Sequence, residues 1–178
     1  MEKRRHRKRF EYAGDGRYLT FSCYQRMPLF GNDRIKDAFA IHLEECRKRD
    51  RFQLIAWVIM PDHVHLLLIP CAGQTASRIL QAIKEPFARS MLKRWRKLEA
   101  AVLARLLDSR RLSHFWQRGG GYDRNIITDA ELFEKIAYIH ANPVRRGLVG
   151  QELDWPWSSA RWYSLDRNGP VQIDPFLP

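Results

Sequence analysis

The stretch from Phe52 to Pro70, FQLIAWVIMPDHVHLLLIP, constrains the fold more than any other part of the chain. Two apolar runs are interrupted only by Pro61 and Asp62, a pair whose fixed φ and short polar side chain are the chemistry of a turn. The runs are strand-length and bounded by turn signals, so the stretch reads as a central hairpin. Apolar residues fall on both alternating faces, which predicts strands covered on at least part of both sides.

Other elements follow around this hairpin. The segment Arg17 to Gln25 (RYLTFSCYQ) is rich in aromatic and β-favouring residues and reads as a first strand. Asn32 or Asp33 can cap a helix to about Lys48, with an apolar stripe of Ile35, Phe39, Ile41, Leu43 and Cys46. Thr75 or Ser77 can start a longer helical stretch to about Leu107, basic on its outer face. A short fourth strand is expected at His114 to Gln117, followed by the flexible run Gly119 to Gly121. Thr128 with Glu131 forms a capping box ahead of LFEKIAYIHA, and Pro143 is expected to end that helix. The order predicts an α+β fold: an RRM-like or ferredoxin-like sandwich with a central antiparallel sheet and helices packed on it. Its expected organisation is a basic N-terminal arm (1–12), one main domain (13–150) and a C-terminal tail (151–178). That tail carries Trp155, Pro156, Trp157 and Trp162, which would sit in water unless it packs back on the body.

With 178 residues and 45% apolar content, a single domain can bury roughly 70% of its unfolded surface. Cys23, Cys46 and Cys71 have no CxxC spacing, so neither a disulfide framework nor a cysteine zinc site is readable. The basic start MEKRRHRKRF is not followed by a signal-like apolar run, and no apolar stretch is long enough to span a bilayer. A soluble, cytoplasmic protein is expected. The formal charge of +11 and pI near 10.0 exceed what solubility requires and point to a polyanionic partner. Arg4, Arg5, Arg7, Lys8 and Arg9 crowd the start, and Lys93 and Arg94 lie in a second basic cluster on the long helix; these are the candidate contacts to such a partner.

Two constellations carry chemistry. His63 and His65 are two apart on a strand, so their imidazoles share a face; they make either half of a metal site or a pair of hydrogen-bonded polar residues at a strand end. Tyr138 and Asn142 are four apart on the last helix, one turn above the other, and Tyr138 lies well away from the Leu132, Ile136 and Ile139 stripe.

The stretches YLTFSCYQRMPLF, AWVIMPDHVHLLLIP, FWQRGGGYDRNI, YIHANPVRRGLV and WPWSS, in this order, resemble the HUH single-tyrosine transposases and among them the REP-associated tyrosine transposases. The resemblance implies that His63 and His65 bind a divalent metal, Mg²⁺ or Mn²⁺, with Asn142 completing the site. It implies Tyr138 as the nucleophile, with Tyr122 the other candidate. Its expected activity is cleavage and strand transfer of single-stranded DNA hairpins through a 5′-phosphotyrosine, by a monomer or homodimer. Trp116, Tyr122 and Trp162 are candidates to stack on bases. Two other readings share the charge and the fold: a non-catalytic RRM-like nucleic-acid-binding module, and a metal-dependent hydrolase acting on RNA.

Overall fold

The computed structural model describes residues 16–50, 52–119, 121–164 and 169–174. The N-terminal basic cluster, Arg4, Arg5, Arg7, Lys8 and Arg9, lies outside the described residues. Four strands, β1 (Gly16–Ser22), β2 (Phe52–Ile59), β3 (His63–Pro70) and β4 (Tyr122–Ile126), form one antiparallel sheet in the order β2-β3-β1-β4. Helices α1 (Asp33–Arg49) and α2 (Ala76–Lys97) are the crossovers that place β2 and β4 on opposite edges. This is the ferredoxin-like arrangement expected from the element order.

The hairpin register separates two cores. Val64, Leu66 and Leu68 of β3 join Leu19 and Phe21 of β1 in a large cluster with α1 and α2. Leu67 and Ile69, on the alternate face, join Tyr18, Ile55 and Val58 under α4 (Asp129–Arg145), whose Leu132, Ile136 and Ile139 fill the second core. Both faces of the hairpin are therefore buried, as its sequence predicts. His63 and His65 share the parity of Leu67 and so lie on the α4 face.

Caps fall where the sequence places them. Asn32 accepts a hydrogen bond from the Arg34 amide and Thr75 from the Arg78 amide. Thr128 accepts from the Glu131 amide, while the Glu131 carboxylate reaches back one residue further, to the Ile127 amide.

Three boundaries differ from expectation. The fourth strand is Tyr122–Ile126, not His114–Gln117; the latter meets β1's end only through an isolated bridge between Cys23 and Trp116. The aromatic pair Phe115 and Trp116 is buried in the larger core, whereas the true edge strand, YDRNI, has polar residues and one open face that mask it. The long helix stops at Lys97, where Glu99 turns into the left-handed region at φ 49, and a four-residue turn of helix, α3 (Val102–Arg105), follows. Pro143 does not end α4: losing one amide donor leaves the winding intact to Arg145, so Arg145 comes onto the Tyr138 side of the helix.

The segment after α4 covers the outer edge of β2, which would otherwise expose unpaired backbone groups. Ile59 donates to the Trp157 carbonyl (2.9 Å), the Ser159 amide to Trp57 (2.9 Å) and the Asp174 amide to Leu54 (2.9 Å). The Trp155 indole donates to the Ile59 carbonyl, and the Tyr163 hydroxyl to that of Ile55. Lys36 places its ammonium 4.0 Å from the centre of the Trp157 ring. Buried His140 holds this segment from the other side, its Nε2 2.8 Å from Ser159 Oγ.

Burial lowers the His140 pKa to about 4, below the ordinary histidine value near 6.5. The unfolded chain thus binds the proton more readily, and stability falls as pH drops from about 6.5 towards 4, by about 1.4 kcal/mol per pH unit. Denaturant unfolding of the wild type and His140→Gln between pH 7 and 4.5 is expected to show a slope shallower by about one proton in the variant. Equal slopes would show that His140 carries no such linkage.

Candidate active site

The two histidines reach the site through β1–β3 pairing, with Thr20 opposite His65 and Ser22 opposite His63. Their Nε2 atoms face each other at 3.0 Å, and both rings are buried. Each Nδ1 is held separately: that of His63 lies 2.7 Å from Asp62 Oδ1, and that of His65 lies 2.8 Å from both Tyr18 Oη and Thr20 Oγ1. Ring orientation is therefore fixed from behind, by a carboxylate in one case and two hydroxyls in the other.

Burial, then the neighbouring His63, lowers the pKa of His65 to about 3, and burial lowers that of His63 despite Asp62. Both imidazoles are thus neutral at physiological pH, the form that donates a lone pair to a metal.

Asn142 closes the third side. Its Nδ2 donates to the Tyr138 carbonyl at 2.7 Å, so the amide oxygen is the group Asn142 has to offer the cleft it lines with His63 and His65. Two nitrogens bound at right angles to one ion, about 2.1 Å from each, lie about 3 Å apart. The separation of the two Nε2 atoms fits such a pair, and the amide oxygen of Asn142, which lines the same cleft, would be a third neutral donor. Among the described residues there is no group of three or more His, Cys, Asp or Glu side chains able to hold a metal. The donor set available to a divalent cation is therefore two imidazoles and an amide, which leaves the ion's charge uncancelled.

Tyr138 stands between two clefts that share Thr20, His65 and Tyr138 itself. One, about 340 Å³, adds His63, Asn142, Arg26, Arg145 and Arg146. The other, about 370 Å³, adds Tyr18, Tyr122, Arg124 and Lys135. The Tyr138 ring has the Arg145 guanidinium 5.2 Å from its centre and the Lys135 ammonium at 5.7 Å. Arg26 and Arg146 are held by Asp62, at 3.2 and 3.6 Å. A larger cavity, about 570 Å³, lies beside Asp37, Trp157 and Arg161, away from the histidines.

The chain matches the family model "Transposase IS200 like" over residues 18–142, the span from the Tyr18 ring to the Asn142 amide. It belongs to the IS200-like transposase family. A Haemophilus influenzae protein provisionally named a REP-associated tyrosine transposase is 28% identical over 143 residues, 80% of this chain and 77% of that protein. The REP-associated tyrosine transposase of Escherichia coli K12 is 30% identical over 114 residues, 63% of this chain and 57% of the relative. A solved REP-associated tyrosine transposase bound to a REP hairpin superposes with a TM-score of 0.69 at 20% identity, covering 97% of this chain and 93% of that one. That likeness confirms the α+β fold.

Of the residues singled out in the sequence, this transposase brings His63, His65, Tyr138 and Asn142 together. Lys93 and Arg94 are exposed on α2, which packs on the opposite sheet face from the histidines. Trp116 is buried, with its indole donating to the Lys84 carbonyl, and cannot stack on a base; Trp162 is half-buried against the larger core. Tyr122 is 50% exposed. Sequence reasoning missed Asp62, Arg26, Lys135, Arg145 and Arg146 as site residues. For Lys135 and Arg145 a signal was present, since with Tyr138 and Asn142 they repeat at three- and four-residue intervals on one helix face.

Tyr18→Phe and Thr20→Val each leave one hydroxyl at His65 Nδ1, whereas the double variant leaves a buried ring nitrogen unsatisfied. Each single change is expected to cost less than about 1 kcal/mol and the pair about 1–3 kcal/mol, measured by urea unfolding of the four proteins. Strict additivity of two small costs would show that the hydroxyls do not hold this ring.

Proposed function

We propose that this transposase cleaves and rejoins single-stranded DNA through an ester between Tyr138 and a 5′ phosphate, on REP-type hairpins, with Mg²⁺ or Mn²⁺ held by His63, His65 and Asn142. The observation that carries the reading is the position of Tyr138. It is a wall of the same cleft as His63, His65 and Asn142, one helical turn from the asparagine, whereas Tyr122 does not line that cleft. The REP-hairpin part of the proposal is supported by the named relatives and the hairpin-bound solved protein.

A divalent cation held by His63, His65 and Asn142 would supply Lewis-acid stabilisation of the charge on the scissile phosphate. The chain's own residues do the rest. Asp62, Tyr18 and Thr20 keep the two Nε2 atoms converging. Arg26, Arg145 and Arg146 present positive charge to the phosphate in the same cleft. Tyr138 Oη forms a bond to phosphorus as its proton passes to solvent; the P–O3′ bond breaks, and the leaving 3′ oxygen takes up a proton. One ester is exchanged for another, so a later 3′ hydroxyl can attack the phosphotyrosine and release Tyr138. Water in place of Tyr138 would leave a broken strand with no bond conserved for rejoining.

The N-terminal arginines with Lys8 are proposed to contact the DNA, and Lys93 and Arg94 on the far face to contact parts of the hairpin away from the cleft. If about six phosphates are neutralised, log affinity falls against log salt with a slope on the order of −4.

Incubating the protein with a labelled hairpin oligonucleotide and Mn²⁺ is expected to give a covalent protein–DNA band on a denaturing gel, absent with EDTA and in Tyr138→Phe and retained in Tyr122→Phe. Tight binding with no adduct would favour a non-catalytic binding module; an adduct that survives Tyr138→Phe would overturn the choice of nucleophile. Asp62→Asn is expected to weaken Mn²⁺ binding, titrated directly by calorimetry, by about 10- to 100-fold through loss of its hold on His63. Unchanged Mn²⁺ affinity would remove Asp62 from that role.

A further inference from the structure

The cleft on the far side of Tyr138 from His63 is not used by the chemistry above, yet its walls are built for a particular ligand. Three phenol rings surround it. The Tyr18 ring lies 6.0 Å from that of Tyr122 and 6.2 Å from that of Tyr138, edge-on to both. Its charged lining residues, Arg124 and Lys135, are both cationic, with the Lys135 ammonium also 6.0 Å from the Tyr18 ring centre. The volume, about 370 Å³, is that of pockets that hold small ligands.

Tyr122 is the unusual wall. It begins the edge strand, opposite Thr20, and half of its surface is open to solvent although the ring is large and largely apolar. Its place is fixed by Gly121, whose φ is +77° and whose backbone lies so close to the Thr20 carbonyl that a Cβ would stand 2.1 Å from that oxygen. No side chain fits there, so the strand must start where it does, with the Tyr122 ring at the cleft mouth.

We infer that this cleft is a nucleobase subsite: one unpaired base beside the scissile phosphate stacks on Tyr122, and Arg124 and Lys135 hold the adjoining backbone phosphate. Flat aromatic faces with flanking cations are the recurring means of holding single-stranded nucleic acid, because every base offers a π-face and every linkage a negative charge. Tyr122 is then a stacking platform rather than a nucleophile. Because Tyr138 walls both clefts, a base seated here places its neighbouring phosphate at the nucleophile, so the subsite also sets which linkage is cut. The inference rests on the reading of Tyr138 as the attacking residue.

The test uses the full chain with Tyr138→Phe to prevent cleavage, and an extended single-stranded DNA hairpin carrying 2-aminopurine at one unpaired position at a time. Fluorescence at a single position is expected to change on binding, and Tyr122→Ala is expected to abolish that change and weaken binding about 5- to 150-fold, while Tyr122→Phe preserves both. An abasic site at the same position should weaken binding to the Tyr122-containing protein by a similar factor; this arm needs no substitution at Tyr122 and stands even if Tyr122→Ala folds poorly. No responsive position, or abasic DNA bound as tightly as intact DNA, overturns the subsite. Adduct formation by the unaltered protein is scored separately, so a lost subsite with an intact adduct condemns this inference alone, and a missing adduct condemns the covalent reading on which it rests.

Discussion

Everything at the site depends on the register between β1 and β3. Pairing Thr20 with His65 puts the threonine hydroxyl behind the imidazole, and pairing Ser22 with His63 brings the second ring beside the first. A shift of one residue would turn both histidines into the core beneath α1 and α2 and bring Val64 and Leu66 to the chemistry. What prevents the shift is the same alternation that built the hairpin: each face of β3 is matched to a different apolar layer, so neither layer tolerates the other's residues.

The sheet has two unlike edges, and each has been put to use. The β2 edge is sealed by the C-terminal segment, whose tryptophans and Ser159 satisfy backbone groups along most of its length. The β4 edge is short and carries Arg124, whose guanidinium pairs with Glu131 of α4 at 2.7 Å. A bidentate ion pair between Arg17 and Asp123, almost fully buried, fixes that edge strand to the centre of the sheet. Removing one partner of such a pair strands a charge in the interior, which costs about 3–5 kcal/mol, so the strand that presents Tyr122 is firmly held despite having only one neighbour.

Much of this was readable from the residues, and the failures have physical reasons. The hairpin, the caps at Asn32, Thr75 and Thr128 and the ferredoxin-like order follow from local signals of turn chemistry, capping and periodicity. The histidine pair followed from strand parity, and Tyr138 with Asn142 from helical spacing. The fourth strand was misplaced because apolar aromatics at Phe115 and Trp116 resemble strand residues more than the polar edge YDRNI does. Asp62 reads only as a turn residue in the sequence, since its two arginine partners come from far along the chain, Arg26 just after β1 and Arg146 at the end of α4. Arg26 was invisible for a similar reason: it reaches the cleft from a left-handed backbone at φ 56, which no local pattern announces.

Helix α4 carries Tyr138, Asn142 and Arg145 on one side and Leu132, Ile136 and Ile139 on another. Distances among the first three are set by helical pitch and are insensitive to the sheet. Their distances to the histidines are set only by how deeply the apolar stripe seats. The stripe is therefore the alignment gauge of the site. A methylene lost from it tilts the Tyr138 phenol, the Asn142 amide and the Arg145 guanidinium together, so a small packing fault reaches all three groups at once.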